Sequence, residues 1–356
     1  MAVQQTYYVA VVGYGLSAKL FHIPFIRAHS RFKFEALVDR RATSPSSATT
    51  PELNGVNIFS SLSELLENGE FDVAVLCTPP WTHYELAVPL ITSGKHVVLE
   101  KPATPTAEEA KELQRLAAKH QVRLAVYQNR RWDNDFLTVR ELIKQGTLGA
   151  IVEFETHFDR FCPDVAPGSI AESKPGTGIV YDLGVHLIDQ VYCLWGMPDR
   201  VTAFVDHLRD PRTQDMCTLL LHFSKRLVTI KATTHSAEQV QLRFWLRGDK
   251  GSFKKYHLDI QEPQLAEGKK PTDPEFGVEP EDRCGILTLI ENGHLVATHV
   301  PNVPPQTYSA FYDQLAQALQ GHDAPELPTM EQAMEVLRLV EMCLKSVEAR
   351  RTMECR

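Results

Sequence analysis

The chain has 356 residues, and its 37 basic and 45 acidic side chains leave a formal net charge of −8; at about 150 residues per domain, that length corresponds to roughly two domains. A hydrophobic fraction of 43%, a charged fraction of 23% and prolines and glycines spread along the chain exclude disorder, collagen and coiled coil. Without a basic run there is no electrostatic footprint for nucleic acid, and no apolar stretch approaches the roughly 18 residues of a membrane helix, so neither is an expected partner.

In chain order, the first third alternates short apolar runs with helical segments. Tyr7 to Val12 is a compact β-rich run ending at Gly13, a helix can follow over 16–29, and a second strand over 32–38 ends at Asp39. Residues 44–50 are rich in Ser, Thr and Ala, which suits a surface loop. A helix starts at 61–66, a buried strand spans 72–77, helical spacing runs over 82–93, and a strand spans 95–99. An amphipathic helix over 106–120 and a strand over 122–127 complete this part. Strands separated by helices require right-handed crossovers, hence a doubly wound parallel sheet covered on both faces. That domain is expected over residues 1–126.

Beyond residue 126 the rhythm changes. A helix over 136–145, a strand over 151–158 and a helix over 180–195 precede period-two runs at 201–205, 218–223, 227–232 and 241–246, with a turn at 248–252. Many strands with few helices predict a large open, mostly antiparallel sheet, so the whole is an α/β protein whose second domain, residues 127–356, is α+β. Glu262 to Pro280 is rich in Pro, Gly and charge and reads as a long surface loop, and closing helices are expected over 308–320 and 330–349. Met1 to Tyr8 lacks the layout of a signal peptide, and the seven cysteines include no C-x-x-C and no clustered His partner. Free thiols, no metal and a cytoplasmic location are the matching expectations.

Gly13-Tyr14-Gly15-Leu16-Ser17-Ala18 fits G-x-G-x-x-G/A between a strand and a helix. Gly13 permits the tight turn, Gly15 lets the backbone approach a pyrophosphate, and Ala18 lets the helix lie close to the sheet. The anion then meets the free N–H groups and positive dipole end of that helix. Asp39 closes the second strand, where a carboxylate accepts from ribose hydroxyls; it favours NAD, because a 2′-phosphate faces a like charge there. Arg40 and Arg41 follow directly, and an arginine in that place can clamp the phosphate of NADP, so both nicotinamide cofactors stay open.

Glu100-Lys101-Pro102 ends the run 96–99, and Thr78-Pro79-Pro80-Trp81-Thr82-His83 ends the strand before it. Ligands of open α/β sheets bind beyond such strand ends. Lys101 is therefore either a surface lysine or a ligand contact, and Thr78, Pro79 and His83 either plain turn chemistry or a wall beside the nicotinamide. Asp182 and His186, four residues apart, project from one face of a helix whose apolar stripe runs through Val180, Leu183, Leu187, Val191 and Leu194. A carboxylate beside an imidazole can raise its basicity and fix its orientation, although such a pair also serves as a structural ion pair.

The glycine turn, Glu100-Lys101-Pro102 and Asp182-x-x-x-His186 occur in the order and at the separations of the Gfo/Idh/MocA oxidoreductases. Phe21-His22-x-Pro24, Gln128-Asn129-Arg130-Arg131-Trp132-Asp133-x-Asp135-Phe136, His157-Phe158-Asp159-Arg160-Phe161 and Gly251-Ser252-Phe253-x-Lys255-Tyr256 resemble its YdgJ/YvaA-like scyllo-inositol dehydrogenase branch. The resemblance covers nearly the whole chain. It implies an N-terminal Rossmann domain and a second domain that carries substrate and mediates assembly into a homodimer or higher homo-oligomer. It implies Lys101, Asp182 and His186 as the catalytic set. Gly13 to Ser17, Asp39, Arg40, Thr78, Pro79, His83, Glu100, Lys101 and Gln128 are then the cofactor contacts. Asn129, Arg131, Trp132, His157, Asp159 and Arg160 fall near the substrate, with inter-domain salt bridges and core packing as their alternative uses. The implied reaction moves a hydride between nicotinamide and a secondary alcohol or carbonyl of a polyol or sugar. His186 acts as acid/base, histidine having a reference pKa near 6.5; Lys101 polarises the oxygen and Asp182 orients both. A non-enzymatic dinucleotide-binding sensor of the same fold is the alternative; presence of all three proton-handling residues favours the enzyme.

Overall fold

The computed structural model describes residues 5–41, 53–164, 174–209, 212 and 214–355; the loop expected at 44–50 lies outside them. Its contacts resolve into two compact units, one of Met1–Asn129, Glu262–Phe276 and Thr307–Met334, the other of Arg130–Gln261, Gly277–Gln306 and Glu335–Arg356.

The first unit is built on six parallel strands: β1 (Tyr7–Val12), β2 (Phe32–Val38), β3 (Asn57–Phe59), β4 (Val73–Leu76), β5 (His96–Leu99) and β6 (Leu124–Val126). Their order is β3-β2-β1-β4-β5-β6. Val73, Ala74, Val75 and Leu76 are all fully buried, as a strand covered on both faces requires. Because β1 lies between β2 and β4, the winding direction reverses there, and the carboxyl ends of β1 and β4 flank the crevice where such sheets take ligands. Helices on the faces are capped as their sequences dictate. Ser61 and Thr106 accept from the backbone N–H of Glu64 and Glu109 at 3.1 and 3.2 Å, and Glu64 returns a bond to Ser60 N–H. The three-residue β3 was not among the predicted strands; it lacks an apolar run and exists by pairing with Ala36, Leu37 and Val38.

The second unit carries nine strands: β7 (Ile151–Asp159), β8 (Arg200–Asp206), β9 (Met216–Phe223), β10 (Arg226–Thr233), β11 (Leu242–Gly248), β12 (Gly251–Tyr256), β13 (Gly285–Glu291), β14 (His294–Val300) and β15 (Met353–Glu354). Their order is β14-β13-β12-β11-β7-β10-β9-β8-β15, antiparallel throughout except where β10 meets β7. The expected α/β architecture of a doubly wound sheet plus a large, mostly antiparallel one is therefore present. The helix Val185–Trp195 packs on one face of the large sheet, where Trp195 meets Phe154 edge-on at 5.1 Å and His186 lies against Phe158.

One expectation needs correction. Residues 262–280 are not a long surface loop: the helix Gln261–Ala266 enters this stretch, and Leu265 and Phe276 are 4% and 3% exposed. Phe276 packs on Phe25 of the first unit with ring centroids 6.0 Å apart. Two apolar anchors outweigh a loop-like composition. Among the described residues no helix is long and apolar enough to cross a membrane, and no cluster of His, Cys, Asp or Glu is arranged to hold a metal.

Candidate active site

The turn after β1 shows why glycine stands where it does. Gly13 has φ +97°, and a Cβ there would lie 2.9 Å from the Cys77 carbonyl oxygen and 3.1 Å from Thr78 Cγ2. Gly15 is the opposite case: a Cβ would meet nothing within 4 Å, so its backbone borders open space. The helix that follows opens with a π-helical turn, Ala18–His22, continues as Ile23–Ala28, and has no acidic residue in its first turn to compete with an anion. Ala18 is fully buried against the sheet and Leu16 is 71% exposed above the turn. Gln128, just past β6, is buried with its carboxamide oxygen unpaired among the described residues. A backbone cradle without side chains and an orphaned acceptor fit a dinucleotide.

At the end of β2, Asp39 is buried and accepts from Arg41, from its backbone N–H at 3.0 Å and its Nε at 3.1 Å. The same guanidinium donates to the Tyr14 carbonyl at 3.2 Å, tying the strand end to the glycine turn. Arg40 is exposed. Of the two arginines, Arg41 is the one bonded to Asp39. Thr78 and Pro79 follow β4, and Thr82 donates to the Thr78 hydroxyl at 2.9 Å. Both ring nitrogens of buried His83 face backbone carbonyls, Thr78 at 2.8 Å and Pro102 and Ala103 at 3.2 and 3.1 Å, so His83 fastens two turns together.

Glu100 and Lys101 leave β5 at the same edge. Glu100 is buried, and both of its oxygens are engaged: Oε2 accepts from the Lys101 backbone N–H at 2.9 Å, Oε1 from His22 Nε2 at 3.0 Å. His22 Nδ1 in turn donates to the Tyr312 hydroxyl at 2.8 Å, and its ring lies tilted against Tyr127 with centroids 4.2 Å apart. Burial by itself pushes the His22 pKa down, but Cys77 and the Glu100 carboxylate lift it to about 10. Burial likewise opposes ionisation of Glu100, yet His22 and Lys101 hold its carboxyl below the usual range. The pair is therefore imidazolium and carboxylate at neutral pH.

In the second unit, Asp182 sits in another π-helical turn, Val180–Gly184, that leads directly into Val185–Trp195. Val180, Leu183, Leu187 and Val191 are buried as the stripe predicts; His186 is 6% exposed and Asp182 is exposed. The His186 ring lies 6.3 Å from Phe158, and the guanidiniums of Arg130 and Arg160 stand 4.7 and 4.9 Å from the same ring. Arg160 thus joins His186 around Phe158, whereas His157 and Asp159, on alternate strand positions, turn to the other face of the sheet. There His157 bonds Asp159 at 2.9 Å and Glu155 at 3.2 Å. Arg131 forms a buried bidentate pair with Asp189 at 2.8 and 2.7 Å, and Trp132 is a core side chain, 2% exposed. Asn129 is buried at the start of the 3-10 turn Asn129–Trp132.

The sequence reading assigned no role to His22, Tyr127, Tyr312, Arg130 or Arg243. His22 and Arg130 stood in visible motifs, Phe21-His22-x-Pro24 and Gln128 to Phe136; nothing local marks the others. Arg243 is 1% exposed and donates to Asp135, Thr156, the His157 carbonyl and Gln190 at 2.9–3.1 Å. Gln190 then donates to the Arg130 carbonyl at 2.7 Å, fixing the segment that carries Arg130. Nearby, burial raises the carboxyl pKa of Asp259 to about 6 and that of Glu279 to about 7.

Two family models match in succession: the NAD-binding Rossmann fold of an oxidoreductase family over residues 7–128, and the C-terminal alpha/beta domain of that family over residues 140–355. An uncharacterized oxidoreductase of Schizosaccharomyces pombe, C115.03, is 38% identical over 357 residues, covering 96% of this chain and 97% of its own. The scyllo-inositol 2-dehydrogenase (NADP(+)) IolW of Bacillus subtilis is 34% identical over 349 residues, covering 97% and 94%. The solved structure of the oxidoreductase yvaA from Bacillus subtilis superposes with a TM-score of 0.92 at 32% identity, over 99% of both chains. With a glycine cradle of this geometry and matches along almost its full length, the chain is an NAD(P)-binding member of the Gfo/Idh/MocA family of oxidoreductases.

Proposed function

We propose that this oxidoreductase moves a hydride between NAD(P) and a secondary alcohol or carbonyl carbon of a cyclic polyol or sugar. The observation that carries the reading is the placement of Lys101 at the carboxyl edge of the parallel sheet, the same edge at which Gly13 and Gly15 form the cradle. The named activity of IolW, a relative at 34% identity, supports the substrate class.

When bound, the nicotinamide accepts or returns the hydride. The chain must supply a proton acceptor and stabilise charge developing on the oxygen. Lys101 does the second as an ammonium, without losing its proton. His186 takes the hydroxyl proton in oxidation and returns it in reduction, and Asp182 orients the imidazole. In this proposal residues 1–126 hold the dinucleotide, and residues 127–356 carry substrate recognition and the contacts of a homo-oligomer.

The test is a matrix of NAD and NADP against inositols, aldoses and dicarbonyls, run on the wild type, Lys101→Met and His186→Ala. Turnover should fall at least about 100-fold in both variants while dinucleotide affinity holds within about threefold. Undiminished turnover in Lys101→Met would remove that residue from the reaction. Tight dinucleotide binding without turnover on any substrate would favour a sensor.

A further inference from the structure

We infer that His22 is a positioning residue for Lys101: through the Glu100 carboxylate it fixes the Lys101 backbone amide, and with it the direction in which the Lys101 side chain leaves β5. The inference rests on the role proposed above for Lys101.

A continuous chain of hydrogen bonds runs from Tyr312, on the helix Ser309–Leu319, through His22 and Glu100 to the Lys101 N–H, with links of 2.8, 3.0 and 2.9 Å. His22 is fully buried and Glu100 7% exposed, so water does not compete for either. His22 is further clamped by the Tyr127 ring, and the Tyr127 hydroxyl donates to the Phe21 carbonyl at 2.7 Å, next to His22 in the chain. Buried opposite charges add little net stability over apolar packing of the same volume. What this pair does add is direction: a carboxylate held at one oxygen by a rigid imidazolium presents its other oxygen to one particular amide. That amide belongs to the residue assigned to polarise the reacting oxygen, where a displacement of about 1 Å is enough to cost ~100-fold in rate.

The experiment compares the full-length wild type with His22→Gln, and with Tyr312→Phe should His22→Gln not fold. Amide hydrogen exchange is read at Lys101 without ligand, with Val75 in β4 and Val98 in β5 itself as references. Turnover uses scyllo-inositol with NADP. Exchange at Lys101 should rise by about tenfold or more with the references unchanged, since only a local opening is eased. The rate constant should fall by about 10–100-fold with NADP affinity within about threefold. In a Lys101→Met background, adding His22→Gln should change the residual rate by less than about threefold, because both changes act through one group. Unchanged exchange at Lys101 would overturn the inference. So would equal loosening of Val75 and Val98, or an undiminished effect in the Lys101→Met background. Full turnover by Lys101→Met alone would sink the role of Lys101, while the exchange data would still decide whether His22 fixes the amide.

Discussion

Replacing Arg41 by Ala should separate the two nicotinamide cofactors. Asp39 directly follows β2, where the proposed reading would put the adenosine ribose, and its carboxylate is held by Arg41 through bonds of 3.0 and 3.1 Å. Left alone, that carboxylate would oppose a 2′-phosphate: two unit charges about 5 Å apart at an effective dielectric near 20 repel by roughly 3 kcal/mol. Arg41 cancels this repulsion and can add a charge-assisted bond to the phosphate, worth about 1.5–3 kcal/mol in a shielded setting. Its side chain is 70% exposed, so solvent screening reduces the net gain to the lower part of that range. Arg41→Ala should therefore weaken NADP by about tenfold and leave NAD within about threefold. Asp39→Ser should move the ratio the other way, favouring NADP. Dissociation constants for both dinucleotides, measured by calorimetry at low and at moderate salt, decide the matter, and the NADP-specific loss should shrink as salt rises. Equal weakening of both cofactors by Arg41→Ala would refute the assignment, as would an unchanged ratio in Asp39→Ser.

The two glycines of the turn should respond differently. Gly13→Ala incurs about 1–2 kcal/mol for a backbone at φ +97° and adds a contact at 2.9 Å to the Cys77 carbonyl, so urea unfolding should show a less stable protein. Gly15→Ala, with open space at its Cβ, should leave stability nearly unchanged yet weaken dinucleotide binding; unaltered affinity would show that this backbone does not face the pyrophosphate. The third expectation concerns pH. The His22 pKa is raised from 6.5 to about 10, so its contribution to stability is complete below about pH 6.5 and is lost as pH climbs through about 10. The melting temperature should fall over that alkaline interval by an amount that His22→Gln removes, and a parallel fall in His22→Gln would assign the loss to other groups.

Much of the first unit was legible because its strands are short, uninterrupted apolar runs divided by helices, a pattern that a parallel sheet imposes on sequence. The glycine turn was legible for a related reason: torsion and space at Gly13 leave little choice of residue. In the second sheet, β12, β13 and β14 escaped because their alternation is blurred. Lys255, fully buried and bonded to Glu279, occupies a core position of β12, and Ile290 and Leu295 point to solvent. Asn292-Gly293, both at positive φ, was the local signal for the β13–β14 hairpin. Side-chain geometry was less legible than the position of the elements. Whether His157 or Phe158 faces His186 is a matter of one residue of register, which a motif does not encode. The charge on His22 depends on Glu100, 78 residues away, and its orientation on Tyr312, 290 residues away. No local pattern connects them.

The polar run from Arg130 to Asp135 shows where sequence chemistry and structural use part company. Read as a string, three carboxylate or amide side chains and two guanidiniums suggest a surface made to bind hydroxyl groups. In the fold they are buried, and buried charge requires a partner. Arg131 is committed to Asp189, Asp135 to Arg243, Asp133 to Arg130 at 3.4 Å, and Asn134 to the Gly277 carbonyl at 2.8 Å. The Asn134 backbone N–H adds a bond of 2.9 Å to Asp259. Most of these bonds reach residues outside the run and tie it into its unit, and Arg130 stands 4.7 Å from the Phe158 ring that His186 also faces. If His186 serves the reaction as proposed, substrate discrimination is expected to fall to the groups near that ring, with Arg160 foremost. On this account, exchanging residues inside the run should cost stability before it alters which polyol is oxidised, whereas Arg160→Ala should change the substrate profile and leave the unfolding midpoint almost where it was.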